Sequence, residues 1–392
     1  MALALLIGLV LAFHGGGPAG SGAPPPTPPT HAAQSQPLKN PRLDPDWTGN
    51  GKPVTLAFGG DVNFPSTSNL GARLADDPAT ALGPTVPELL SGATLKMVNL
   101  ETALTQGTCP TPQVKTYVFY APPSAVTALE HAGIGLVTEA NNHGEDCGVA
   151  GLQQAIAIRT QTRFPVMGIG QNVTEAFTPY ETTIKGERIA VVVATQVIDS
   201  DLASAWTATA TQPGLASAYD ITALVSAVEK ARAWADTVVV YLHWGTQLDA
   251  CPNPLQEPLA NALVKAGADI IVGTHAHVLL GGGYLGSAYV DYGLGNFAFY
   301  DNSPPENQSG SLVITATGRH VDDVAWRPAV IVDDLPQPLS GAAATAAIAS
   351  WSSARSCTDA SATPSASLAS VTTEKAPVTP TVAQQLSNDD TT

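Results

Sequence analysis

Five short stretches of the chain gather the side chains that bind metals or move protons. Phe58-Gly59-Gly60-Asp61-Val62-Asn63 ends an apolar run with two glycines and an acid, and Val98-Asn99-Leu100-Glu101-Thr102 ends another with a second acid. Thr138-Glu139-Ala140-Asn141-Asn142-His143-Gly144-Glu145-Asp146 brings together amides, an imidazole and acids. Val240-Tyr241-Leu242-His243-Trp244-Gly245 delivers one imidazole at the end of an apolar strand pattern. Val272-Gly273-Thr274-His275-Ala276-His277-Val278 offers two more, which an extended backbone projects to one side and a bent loop sets to serve two neighbouring metals.

Taken singly, most of these are weak signals. A Gly-Gly-Asp is more often a turn, a strand-end Glu is commonplace, and a lone His after an apolar run is usually a satisfied core histidine. The Asn-Asn-His and His-x-His blocks are stronger, because turn capping explains Asp146 but not the amides and imidazole before it. Jointly the stretches offer Asp61, Glu101, Asn142, His243, His275 and His277, a mixed nitrogen and oxygen set without thiolates. That set suits two divalent transition metals (Mn, Fe or Zn) better than Ca or a structural zinc. Two such ions clamp a phosphoryl oxygen and activate water. His143 and Asp146 are the catalytic candidates, the acid fixing the imidazole's tautomer and the imidazole serving as cation or general acid near a leaving group.

The elements that position these residues alternate short β-branched runs with helical patterns, an α/β signature. Strands are expected at residues 54–58, 95–99, 136–139, 189–195, 237–242, 270–273, 288–293 and 311–317. Helices are expected at 124–131, 148–160, 221–233 and 255–266. The candidate residues all fall at or beyond downstream strand ends, where α/β proteins build their sites. The glycines of Gly293-Leu294-Gly295-Asn296-Phe297 suggest a close backbone approach; Asn296 either orients a ligand or caps the turn.

The chain divides into four parts: 1–23 an export signal or anchor, 24–49 a Pro-rich linker, 50–340 the folded domain, and 341–392 a low-complexity, mostly disordered tail. Residues 2–13 form an uninterrupted apolar run, shorter than the roughly 20 residues of a membrane span and suited to export, although no basic side chain precedes it. The expected location is extracellular or at the cell surface. Four cysteines fit an oxidising compartment and allow three pairings; Cys109–Cys147 with Cys251–Cys357 is favoured, because Cys109 and Cys147 each follow a site motif. A formal charge of −16, from 17 basic and 33 acidic residues, excludes nucleic acid as the partner.

In order and spacing these blocks resemble the CapA (poly-γ-glutamate capsule biosynthesis) family over residues 55–300, a family similar to the calcineurin-like metallophosphoesterases. The resemblance implies a four-layer αββα sandwich with a dinuclear site at its strand ends. By it, Asp61 would bind the first metal, Glu101 would bridge, Asn142 would bind the second, and His143 would be the catalytic histidine. His243, His275 and His277 would complete the two coordination spheres. This chain departs from the metallophosphoesterase pattern at Asn63, where a His is typical, and at Glu101, where the bridging acid is typically Asp. The implied function is an exported metal-dependent hydrolase of surface-polymer synthesis, acting on an anionic polymer or a phosphorylated or γ-glutamyl substrate beside membrane-bound polymer machinery. The alternatives are a non-catalytic assembly or export factor that retains metal, and a metal-free carbohydrate- or peptide-binding protein.

Overall fold

The computed structural model describes residues 40–365. The expected export segment, most of the expected linker and the end of the tail lie outside them. Among the described residues no helix is long and apolar enough to cross a membrane.

The chain first lays down four parallel strands, β1 (Val54–Val62), β2 (Leu95–Leu100), β3 (Leu136–Thr138) and β4 (Val166–Met167). A second sheet follows: β5 (Tyr180–Ile184), β6 (Glu187–Thr195), β7 (Thr237–Trp244), β8 (Ile270–His275), β9 (Gly282–Leu285) and β10 (Ala288–Asp291). The chain then returns to the first sheet with β11 (Asn296–Ala298), β12 (Gln308–Thr317), β13 (His320–Val332) and β14 (Leu335–Pro338). The eight-stranded sheet runs β14-β13-β12-β1-β2-β3-β4 with β11 also on β1; the six-stranded sheet runs β9-β10-β8-β7-β6-β5.

Side-chain alternation on β1 explains the layering. Leu56 and Phe58 join a core with Val191, Val193, Val239 and Tyr241 of the second sheet. Ala57 faces the other way, as does Val62 beyond a register shift between Phe58 and Asp61, onto helices α1 (Asn69–Asp76), α2 (Thr85–Leu89), α3 (Ser124–His131) and α4 (Gly148–Thr162). Strands buried on both faces read as continuous apolar runs, as β7 does. The second sheet is covered by α5 (Ile221–Trp234) and α6 (Gln256–Ala266) through Leu224, Val228, Leu259 and Leu263. The architecture is therefore a four-layer α/β/β/α sandwich. Tyr241 Oη ties the two sheets together by donating to Gly59 O at 2.7 Å.

Three expectations need correction. β1 does not end at Phe58; it runs through Gly59 and Gly60 to Val62. Those glycines serve close approach rather than a turn, since a Cβ on Gly60 would lie 1.8 Å from Gly295 O and one on Gly59 2.6 Å from the Phe297 ring. Ordered structure also extends past both expected boundaries of the domain. Upstream, Arg42 and Trp47 both bond Asp236 Oδ1, at 2.9 and 3.0 Å. Downstream, α7 (Gly341–Ala354) buries none of its residues, so no apolar stripe announces it, yet Trp351 stacks on Trp326 with ring centroids 5.5 Å apart. Beyond it, Asp359 accepts from Tyr292 Oη at 2.6 Å, and the Cys251–Cys357 disulfide closes the strap.

Glu139, just past β3, is wholly buried; one oxygen accepts from Leu104 N at 2.7 Å and the other has no partner. Burial pushes its pKa up from 4.5 to about 8. A folded-state pKa raised in this way adds stability that is complete below pH 4.5 and is lost as pH rises towards 8, at about 1.4 kcal/mol per pH unit. Glu139→Gln keeps the acceptor and cannot ionise. It is expected to melt with wild type at pH 5 and clearly above it at pH 8; equal melting temperatures at both would refute the assignment.

Candidate metal centre

The downstream ends of β1, β2, β3, β7 and β8 converge at one place. Strand register sets Asp61 beside Asn99 and Trp244 beside His275, so the acids and imidazoles arrive from neighbouring strands of two sheets. Glu101 lies at the centre. Its Oε1 is 3.8 Å from His243 Nε2, 3.7 Å from His277 Nε2 and 3.9 Å from His143 Nε2. Asp61 lies 3.7 Å from His277 Nδ1 and 3.9 Å from His243 Nδ1. Two donor groups result, Asp61/Glu101/His277 and Glu101/His243/His275, each with its ligand atoms within 4.8 Å of one another and Glu101 common to both. Asn142 Oδ1 lies 2.9 Å from His243 Nε2, adding an oxygen beside the second group.

These residues fit a metal on an internal criterion. Glu101 is fully buried with neither oxygen hydrogen-bonded, and His275 is buried with neither ring nitrogen bonded. Buried polar atoms are nearly always partnered, so four orphan donor atoms in one cluster mark a place built for something else. Electrostatics agrees. Burial, then the charge of Asp61, holds the Glu101 carboxyl well above the usual range, and burial likewise raises Asp61. Burial also drives His243 and His275 well below the ordinary imidazole value, leaving both rings neutral, the form that ligates a metal; the two nitrogens of His275 are unpartnered, whereas those of His243 meet Asn99, Thr274 and Asn142.

The surroundings fix the ligands. Asn99 donates to Asp61 Oδ1 at 2.8 Å, and the His275 backbone N–H donates to Asp61 Oδ2 at 3.1 Å. Asn296 Oδ1 sits 2.8 Å from His277 Nδ1, and its amide nitrogen donates to Glu306 O at 3.1 Å, so it bridges the imidazole and the loop beyond. His275 and His277 hold φ of 98° and 56°, backbone strain of the kind that collects at functional sites. Asn63 is buried with both amide atoms unpartnered.

Beside the donor groups, His143 Nδ1 bonds Asp146 Oδ2 at 2.6 Å, placing Nε2 towards Glu101. Burial lowers the His143 pKa, and Asp146 opposes the shift. Phe119 lies on its ring, centroids 4.3 Å apart, and Phe299 lies 5.0 Å from the His277 ring. The sequence motifs carried Asn99 without a role and missed Lys115 and Phe119 altogether; these two sit in an irregular segment whose spacing signals nothing. Lys115 Nζ bonds Asp146 Oδ1 at 3.0 Å and Asp199 Oδ2 at 3.1 Å.

Fold and site together define a four-layer α/β protein with a buried nitrogen/oxygen metal-ligand cluster at its strand ends. A family model described as "Bacterial capsule synthesis protein PGA_cap" matches residues 55–301, more than half of the 392, and the chain belongs to that family. Capsule biosynthesis protein CapA of Bacillus anthracis is 34% identical over 224 residues, 55% of this chain and 53% of that protein. PGA biosynthesis protein CapA of Bacillus subtilis is 32% identical over 176 residues, 45% of each. The chain thus spans about half the length of the curated relatives it matches. Among solved structures, a phosphatase from Mycoplasma pneumoniae is similar at TM-score 0.43 and 14% identity, over 71% of this chain and 94% of that one. A 5'-nucleotidase from Candida albicans is similar at TM-score 0.38 and 8% identity, over 77% of this chain and 58% of that one. Neither likeness bears on the chemistry.

Proposed function

We propose that this chain is an exported, metal-dependent hydrolase of capsule or poly-γ-glutamate synthesis, with a dinuclear site that cleaves a phosphoester or γ-glutamyl bond in an anionic surface polymer or its precursor. The observation that carries it is Glu101, buried without a hydrogen bond between two donor groups that share it. Asp61 and His277 would hold one ion, Asn142, His243 and His275 the other. Bound divalent metals supply positive charge and polarise the scissile bond. The chain's own residues do the rest. Asp146 holds His143 so that Nε2 exchanges a proton with the leaving atom. Asn296 orients His277, Asn99 orients Asp61, and Phe119 and Phe299 limit water around the imidazoles. Export is supported by the apolar run at residues 2–13 and by two disulfides.

Asn63 favours one second reading, an assembly factor that keeps metal without turnover. A His there would be a strong ligand, and an amide is a weak one. Elemental analysis of the purified chain, with assays on bis-p-nitrophenyl phosphate and a γ-glutamyl oligomer, separates the two. Tightly held transition metal with turnover of either substrate is the expected result. Metal without turnover selects the assembly factor, and a chain that neither carries nor binds metal sinks both.

A further inference from the structure

Residues 105–119 form neither helix nor strand, yet they bond both carboxylate oxygens and the backbone carbonyl of Asp146. Asp146 is fully buried. Its Oδ1 takes Lys115 Nζ at 3.0 Å, and its Oδ2 takes the Phe119 backbone N–H at 2.7 Å as well as His143 Nδ1 at 2.6 Å. Its backbone carbonyl accepts from Gln113 N at 2.9 Å. The Phe119 ring lies on the imidazole itself. Two bonds of different kinds keep this irregular segment in place. The Cys109–Cys147 disulfide fastens it to the residue next to Asp146, and Lys115 pins its middle.

The partners of Lys115 decide what it does. An ammonium has three N–H donors. Here they face Asp146 Oδ1, Asp199 Oδ2 and the Asn142 carbonyl, with the Trp206 ring centroid 5.0 Å away. Its side chain is only 9% exposed. No donor is left for a substrate anion, so Lys115 is not a phosphate clamp. Its ammonium instead occupies Asp146 Oδ1 and leaves Oδ2 facing His143 Nδ1, and its bond to the Asn142 carbonyl steadies the loop that carries both.

We infer that residues 109–119 are a disulfide-fastened clasp in which Lys115, acting through Asp146, is the positioning residue that sets the tautomer and orientation of His143. The inference rests on the reading of His143 as the catalytic histidine. An unfastened segment without regular structure would sample many conformations, and closing a loop between cysteines 38 positions apart restricts them. The clasp therefore makes full function conditional on an oxidised Cys109–Cys147 pair.

The test is histidine 15N NMR on the zinc-supplemented protein, with the His143 signals assigned by their loss in His143→Gln. Wild type should show a single Nδ1–H tautomer for His143. Lys115→Met and the double variant Cys109→Ser/Cys147→Ser should each turn it into a mixture, with bound zinc unchanged. Turnover of bis-p-nitrophenyl phosphate should fall about 10–100-fold in kcat with KM held, as for residues that orient an active side chain. Lys115→Arg should recover most of the loss. Cys251→Ser/Cys357→Ser, which opens only the other disulfide, should leave His143 as in wild type. If a variant fails to fold, dithiothreitol reduction of that second double variant opens Cys109–Cys147 alone and gives the same NMR readout. An unaltered His143 signal after loss of Lys115 and after opening of the disulfide overturns the clasp, and so does a loss of zinc in step with the loss of tautomer. A wild-type chain without turnover would fail the hydrolase reading only, because the tautomer measurement needs no activity.

Discussion

Glu101→Gln is expected to abolish tight metal binding and, in the same experiment, to raise the melting temperature of the metal-free protein above pH 7. The two effects have one cause. Glu101 belongs to both donor groups, so neutralising it removes a charged ligand from each. In metal-free protein, burial and Asp61 hold its pKa well above the ordinary 4.5. The folded state then binds more protons than the unfolded one over that interval, so stability is complete below pH 4.5 and declines as pH rises through the folded-state value. An amide of the same shape escapes that decline. Each pH unit within the interval is worth about 1.4 kcal/mol, which moves the melting temperature by a few degrees. Metal reverses the order. A ligand at about 1,000 times its dissociation constant stabilises the folded state by about 4 kcal/mol, and only wild type collects it. Thermal melts at pH 8 with and without Mn or Zn should therefore cross, with elemental analysis alongside. A variant that binds metal as wild type does, or a wild type that metal does not stabilise, would remove Glu101 from the centre.

His143→Ala should leave metal content and metal-dependent stabilisation near those of wild type while lowering kcat by about 10²–10⁴-fold, the usual contribution of a positioned proton-transfer group. The separation is the informative part. His143 Nε2 approaches Glu101 to 3.9 Å but is in neither donor group, and its other nitrogen is taken by Asp146. Asp146→Asn should lower kcat too, and should also lower the melting temperature, because the fully buried acid accepts from Lys115 and the Phe119 backbone. Removing one partner of a buried charged pair leaves the other uncompensated. If His143→Ala emptied the site of metal instead, His143 would be a ligand and the proton-transfer role would be lost.

The elements that carry the site were legible because their signals are local. Helix α3 spans Ser124–His131, as its spacing predicts, and β7 and β8 differ from expectation only in running two residues further, through His243 and His275. Apolar runs and helical periodicity are properties of consecutive residues, and burial on both faces makes them emphatic. The helix within the tail leaves no such signal. Helix α7 is mostly Ala and Ser, and it is anchored by Trp351, which stacks on Trp326 and donates to Asp291, and by the disulfide at Cys357 just beyond it, none of which leaves a periodic trace. Gly59 and Gly60 were read as a turn because their true neighbours, Phe297 and Gly295, are far along the chain.

The candidate metal centre divides the same way. The sequence by itself determined the candidate ligand types and their delivery at strand ends, since Asp61, Glu101, Asn142, His243, His275 and His277, with His143 beside them, each follow an apolar run. Only the tertiary structure decided that Glu101 lies between two groups, that Asn296 bonds His277, and that Lys115 reaches Asp146 from a segment with no regular structure. The physical reason is the separation along the chain. Strand periodicity says where a side chain leaves the sheet, but which side chains meet there depends on how two sheets and an irregular loop pack.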